Sequence, residues 1–244
     1  MNPAWPWLPP SWNDLAPGEV VCCQIAIGEL VPSSVEKLRG VLTAEERSRG
    51  DRFLKPIDRL RFTACRGALR MLLARLVGAQ ASTLTLAAGA NGKPELPGSW
   101  LNFNVAHGGE TGLIALARDH PVGVDVEPVQ PTQDRARLAV YFHPGERQEL
   151  EATPRALAEQ AFFRLWARKE AVAKALGLGL SLDLAAYRVS AAPAEPRVLA
   201  LDRADTPPRC WSLVDLDLGP GYAAALAAPV PGVIPRCFRL ELWR

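Results

Sequence analysis

Val122-Gly-Val-Asp-Val-Glu-Pro128 is the stretch from which the rest of the chain can be read. Valines at 122, 124 and 126 alternate with Gly123, Asp125 and Glu127. Period-two geometry therefore puts the valines on one face of a strand and both carboxylates on the other. Just upstream, Asp119-His120-Pro121 makes a turn, Leu113 to Ala117 a second strand, and Leu101-Asn-Phe-Asn-Val-Ala-His107 a third. In the third, Leu101, Phe103 and Val105 alternate with polar or small residues until Gly108-Gly109 breaks the run. Downstream, Glu159 to Leu176 is predicted to be a helix, with Phe162, Leu165, Trp166, Ala173 and Leu176 on its apolar face and Gly177-Leu-Gly179 at its end.

Moving outward, Glu19 to Ile27 reads as the first strand. Lys55-Pro56-Ile57-Asp58 reads as a helix start, because proline is tolerated in the first turn and an acid is favoured there. Phe62, Cys65, Leu69, Leu72, Leu73 and Leu76 recur at helical spacing after it, and Gly78 ends the helix. Residues 1–18 hold three Trp and five Pro, which predicts an extended arm lying on the surface. The tail from Ser181 carries short strand-like runs at Cys210 to Leu218 and at Gly221 to Ala227. Strands and helices in both halves predict an α+β fold, with two related lobes, residues 1–118 and 119–244, meeting near residues 116–121.

The 244 residues suit one large domain or two small ones, and 48% hydrophobic content with 22% charge predicts a folded chain with a real core. A net charge of +2 is too close to balance for a surface built around nucleic acid. It hides an asymmetry: residues 36–75 hold eleven Lys/Arg against five Asp/Glu, whereas residues 121–160 hold seven acids against four bases. Five cysteines without a CxxC pair predict neither a disulfide framework nor a zinc ribbon, and a reducing cytoplasmic setting is the default. The first ten residues lack the pattern of a secretory signal, and no apolar run reaches the roughly 20 residues that cross a bilayer. The expectation is a protein of the cytoplasm with no membrane and no nucleic-acid partner.

Asp125 and Glu127 leave a strand in the same direction about 7 Å apart, which lets two carboxylates reach one hard cation such as Mg²⁺ or Mn²⁺. The competing reading of a lone D-x-E is a solvated strand face. On the helix, Trp166, Glu170 and Lys174 follow one another at four-residue spacing and share a stripe, with Lys169 beside them. Either Glu170 and Lys174 form a surface ion pair, or the stripe faces a site where the carboxylate binds metal or takes a proton and the ammonium holds phosphate. His107 stands where glycines let a ligand approach the backbone, and Lys93 follows the Asn91-Gly92 turn; each is otherwise a solvated or structural residue. Arg49, Arg52, Lys55, Arg59, Arg61 and Arg66 form a solvated face, a docking surface for an acidic partner, or a phosphate clamp. Cations together with a metal-competent acidic pair describe a polyphosphate site. The chain lacks G-x-S-x-G, P-loop, G-x-G-x-x-G and H-E-x-x-H motifs, so hydrolase, NTPase, dinucleotide and zinc chemistries lack their signatures.

Gly92-Lys-Pro94, Phe103-Asn-Val-Ala-His107, Val122-Gly-Val-Asp-Val-Glu127, Phe163-Arg-Leu-Trp-Ala-Arg-Lys-Glu-Ala-Val-Ala-Lys174 and Gly177-Leu-Gly-Leu resemble, in order and spacing, the motifs of Sfp-type 4'-phosphopantetheinyl transferases. The resemblance implies two pseudo-twofold lobes with coenzyme A in the cleft between them. It implies Mg²⁺-dependent transfer of 4'-phosphopantetheine from coenzyme A to a serine of an apo acyl or peptidyl carrier protein, by a monomer. Carried over by motif, Asp125, Glu127 and Glu170 would hold the metal, and Glu170 would also serve as base for the carrier serine. Lys174 would neutralise the transferring phosphate, while Lys93 and His107 would contact coenzyme A phosphates, His107 on the 3'-phosphate; Arg49 and Arg61 are further picks. Many relatives have Ser before the motif His where this chain has Ala106, which implies altered affinity for coenzyme A. The alternatives are a metal-dependent phosphodiesterase acting on CoA-like pyrophosphates and a non-catalytic module that binds coenzyme A or a carrier.

Overall fold

The computed structural model describes residues 5–9, 11–89, 92–132, 135–178, 182–201 and 207–241. In chain order, the first half contains β1 (Val20–Ala26), α1 (Pro32–Gly40), α2 (Ala44–Asp51), α3 (Pro56–Val77), β2 (Ala87–Ala88), β3 (Pro94–Glu95), β4 (Leu101–Gly108) and β5 (Thr111–Arg118). The second contains β6 (Gly123–Pro128), α4 (Arg135–Ala139), α5 (Pro144–Glu151), α6 (Ala158–Leu176), β7 (Tyr187–Val189), β8 (Val198–Leu201), β9 (Ser212–Asp215), β10 (Tyr222–Ala228) and β11 (Arg236–Arg239). Helices and sheets alternate through both halves, so the fold is α+β.

Two sheets organise these elements. The first runs β11-β1-β5-β4 and the second β6-β10-β9. Long α3 begins with a proline in its first turn and ends at Gly78, whose φ of 65° gives the left-handed cap that glycine adopts without cost. Its Leu69, Leu72 and Leu73 pack with Leu101, Phe103, Ile114 and Leu116 on the outer face of the first sheet. In the same way, α6 places Phe162, Leu165 and Val172 against Ala223, Ala225 and Ala227 of the second sheet and ends at Gly177, φ 69°. Val122, Val124 and Val126 fill a third core with Leu113, Ala115, Ala224 and Leu226 between the sheets. The alternation in Val122–Glu127 thus serves two cores, valines toward the other sheet and Gly123, Asp125 and Glu127 toward α6.

The sheets join along the seam of edge strands β4 and β6. Buried Asn104 on β4 accepts a hydrogen bond from the Val124 amide at 2.9 Å, satisfying an edge-strand donor that would otherwise lie in an apolar interface. A Cβ at Gly123 would collide with the Ala171 carbonyl and the Ala175 amide, so the missing side chain lets the α6 backbone lie directly on β6.

Two expectations need correction. The proline-rich arm does not simply lie on the surface: Leu8, Trp12 and Leu15 enter the first core, and the arm is stitched to β11 by Leu8 N–H to Arg239 O and Arg239 N–H to Pro6 O, both 2.8 Å. Such a segment cannot form helix, but it can bury apolar side chains once a strand edge satisfies its backbone. The end of the chain also leaves the second half, since β11 pairs in parallel with β1, Cys22 opposite Cys237. Residues 236–239 therefore belong to the first sheet.

Candidate active site

Asp125 sits mid-strand under α6 and is only 4% exposed. Its Oδ1 accepts a hydrogen bond from Lys174 Nζ at 2.6 Å, while Oδ2 is closed off from solvent with no partner among the described residues. Burial raises the Asp125 pKa and the Lys174 ammonium opposes the rise. Glu127, one pleat further on, is pushed up to about 7 by burial and then by Asp125, with Glu170 adding to it. Glu170 is raised by burial and by Asp125. Glu127 and Glu170 each feel the Asp125 and Lys174 charges, which puts these four side chains in one electrostatic neighbourhood.

The stripe on α6 accounts for this gathering. Trp166 donates a side-chain hydrogen bond to Glu127, Glu170 faces the acids, and Lys174 reaches Asp125 one turn later. The intervening residues face the opposite way. Arg168 makes a bidentate pair with Asp215 at 2.8 and 2.7 Å and bonds the Ser190 and Ala194 carbonyls. Fully buried Lys169, which sequence spacing puts beside the stripe, bonds Glu146 and the Tyr187 carbonyl at 2.9 Å each. These buried contacts fix the rotation of α6, and the rotation aims Glu170 and Lys174 at β6.

His107 reaches the surface at the end of β4, but the atoms packed around its ring desolvate it enough to lower its pKa, and the Arg61 and Lys174 charges add to the effect. Arg61 pins the turn beyond it, donating from Nε to the Gly109 carbonyl at 2.8 Å and from Nη1 to Asp58 at 2.9 Å. Lys93 is not a free cation. Its Nζ donates to the Val122 and Lys174 carbonyls at 3.1 and 3.0 Å, and burial lowers its pKa to about 8. Arg49 stands apart from the carboxylates, stacked over the Phe62 ring at 5.6 Å, and lines a cleft of about 530 Å³ with Glu46, Arg66, Arg70, Gly92 and Pro94. Ala106 is buried in the core between the sheets. Gly179 lies outside the described residues. The sequence reading left three contributors unmarked: Asn104 at the seam, Gly123 under α6, and Arg66, indistinct within its basic stretch. Only Asn104 and Gly123 lay inside recognisable motifs, where their identity could have signalled a special contact.

The acidic neighbours Glu127 and Glu170 offer oxygens, the chemistry of a hard divalent cation, and the unpartnered Asp125 Oδ2 is the kind of atom a cation satisfies. No three acidic, His or Cys side chains among the described residues close tightly around one point; here the Lys174 ammonium supplies the positive charge at Asp125.

A model of the 4'-phosphopantetheinyl transferase superfamily matches residues 121–227. The 4'-phosphopantetheinyl transferase HetI of Nostoc sp. is 33% identical over 236 residues, covering 94% of this chain and 96% of that relative. A 149-residue stretch is 40% identical to the slr0495 protein of Synechocystis sp., covering 59% of this chain and 60% of that one. The 4'-phosphopantetheinyl transferase Sfp of Bacillus subtilis is 25% identical over 199 residues, 80% of this chain and 86% of its own length. The crystal structure of Thermotoga maritima holo-[acyl-carrier-protein] synthase covers 44% of this chain and 61% of its own at a TM-score of 0.37 and 21% identity, a partial likeness only. With near full-length likeness to HetI and the carboxylate strand inside the matched segment, the chain belongs to the 4'-phosphopantetheinyl transferase superfamily.

Proposed function

We propose that this chain transfers the 4'-phosphopantetheine arm of coenzyme A to a serine hydroxyl of an apo carrier protein. The observation that carries this reading is the gathering of Asp125, Glu127, Glu170 and Lys174 at the β6–α6 contact. The serine Oγ forms a bond to the phosphorus bearing the pantetheine arm, and the bond from that phosphorus to the bridging oxygen breaks. The leaving group is adenosine 3',5'-bisphosphate, and the hydroxyl proton passes to a base. Glu170 takes that proton, directly or through water; the raised proton affinity of a buried carboxylate suits the role. The Lys174 ammonium neutralises charge on the transferring phosphate.

Asp125, Glu127 and Glu170 are the residues that would hold Mg²⁺, or Mn²⁺ in its place. The bound ion would neutralise pyrophosphate oxygens as the leaving group departs. Lys93, His107, Arg49 and Arg61 take the coenzyme A phosphates; Lys93 uses its remaining N–H or exchanges a carbonyl partner to do so. The local excess of cations in residues 36–75 suits both coenzyme A and an acidic carrier from fatty acid, polyketide or nonribosomal peptide synthesis. The lobes divide at residues 118/119, except that residues 236–239 return to the first sheet. The enzyme works as a monomer in the cytoplasm, a setting that suits its five free cysteines. Among the described residues no helix is long and apolar enough to cross a membrane.

The test is the mass of an apo carrier incubated with coenzyme A, Mg²⁺ and the protein. A gain of one phosphopantetheine that disappears with Asp125→Ala supports the transfer. Cleavage of coenzyme A without any carrier would favour a phosphodiesterase, and coenzyme A binding with neither reaction a non-catalytic module.

A further inference from the structure

The turn that joins β4 to β5 follows His107 directly, and it is held from both halves of the chain. From the first half, Arg61 Nε donates to the Gly109 carbonyl at 2.8 Å, and the Ile27 and Gly28 amides donate to the Glu110 carbonyl at 2.8 and 3.2 Å. From the second half, the phenol oxygen of Tyr222 on β10 accepts a hydrogen bond from the Glu110 amide at 3.1 Å. The approach at this contact is equally close. Gly109 has a φ of 55°, and a Cβ there would stand 2.9 Å from Tyr222 Oη. One residue earlier, a Cβ at Gly108 would stand 2.5 Å from the Val126 carbonyl oxygen, so the turn lies against the backbone of β6. Both glycines let the two halves meet where a side chain would hold them apart. The half-buried Tyr222 ring packs on the core between the sheets, and its hydroxyl meets the turn.

Tyr222 also stands beside the acidic strand. It lies opposite Pro128 in the β6–β10 ladder, and Ala223 lies opposite Glu127. One side chain thus spans from the strand pair that carries Asp125 and Glu127 to the turn that follows His107. On the proposed reaction this span matters. Coenzyme A is a single small molecule, so its phosphates reach His107 and the carboxylates together only if the two halves keep their separation at this end. Asn104 and Lys93 also link the halves, but elsewhere: Asn104 meets Val124 in mid-seam, and Lys93 meets Val122 and Lys174 at the opposite end of β6. The Glu110 amide lies at the surface, where water takes over its hydrogen bond once the phenol is removed. The bond therefore adds little to the stability of the fold; what it supplies is the place of the turn.

We infer that Tyr222 is a positioning residue for coenzyme A, fixing from the second half of the chain the turn beside His107. This rests on the transferase reading for its ligand and for the His107 contact, yet its test does not need turnover. Calorimetric titration of the full-length protein with coenzyme A, without a carrier, is run on a double-mutant cycle of Tyr222→Phe and His107→Ala. Tyr222→Phe should weaken binding about fivefold, the effect of one hydrogen bond, and melt within about 3 °C of the wild type. His107→Ala should weaken it about tenfold. In the His107→Ala background the further loss from Tyr222→Phe should fall below about twofold, because the phenol acts through the imidazole. Gly109→Ala, whose Cβ presses on the hydroxyl from the other side, should repeat the loss in its folded fraction with the same dependence on His107. Losses that add independently in the cycle, an unchanged coenzyme A affinity in Tyr222→Phe, or a fall of more than about 10 °C in its melting temperature would overturn the inference. The expected cycle in a protein that modifies no apo carrier would instead count against the transferase reading alone.

Discussion

Lys174 Nζ lies 2.6 Å from Asp125 Oδ1, joining the last turn of α6 to the middle of β6. The acid is almost completely buried, and the lysine side chain is 28% exposed. Removing the lysine strands a charge that its surroundings cannot solvate. Lys174→Met should therefore destabilise the protein by about 1–3 kcal/mol, less than for a wholly buried pair, and slow transfer by about 100-fold or more. Asp125→Asn keeps the shape and removes the charge, so it should hold stability while abolishing transfer. Urea unfolding and a carrier-modification assay on both variants check this; equal destabilisation would refute it.

Glu127 titrates at about 7 in the fold against an ordinary 4.5, so the native state holds its proton more tightly than the unfolded chain does. The associated stability is fully present below pH 4.5 and is lost as pH rises through about 7. In metal-free buffer, Glu127→Gln should flatten this part of the stability profile and raise the melting temperature above pH 7. Added Mg²⁺ should stabilise the wild type more than the variant. Parallel profiles for the two proteins would contradict the assignment.

At Gly123 any side chain would strike the α6 backbone at Ala171 and Ala175. Gly123→Ala must push α6 off β6, with an expected cost of about 3 kcal/mol and a transfer rate down more than tenfold even in the folded fraction. Thermal melts and rates normalised to folded protein measure both effects.

Lys93 ties the first half of the chain to both the start of β6 and the end of α6, at the cost of a desolvated ammonium. Its folded pKa of about 8 lies below the ordinary 10.5, so the unfolded chain binds more protons between these values and the group's contribution makes stability rise with pH there. Lys93→Met should remove that rise. The difference between the wild-type and variant unfolding midpoints from pH 7.5 to 10.5 isolates this contribution from other titrating groups.

The sequence by itself determined the elements and their local chemistry. Glycine caps at 78 and 177, the proline start of α3 and the alternation in Val122–Glu127 are short-range matters of backbone sterics and side-chain period, and they lie where local reading put them. The motif blocks also implied that the acids of β6 and the stripe on α6 would meet. Tertiary structure alone decided what covers the acidic face. A D-x-E on a strand is solvated or buried according to what packs on it, and here Gly123 admits α6, whose rotation is held by Arg168 and Lys169 from the far side. Long-range pairing likewise sent β11 back to β1 and drew the arm into the core, outcomes set by which edges remained unpaired. Arg66 shows the same division. Its place in a basic stretch was visible, but that its Nη1 is left without a partner among the described residues while its Nε shares Glu46 with Arg70 is set by neighbours that only the folded chain brings together.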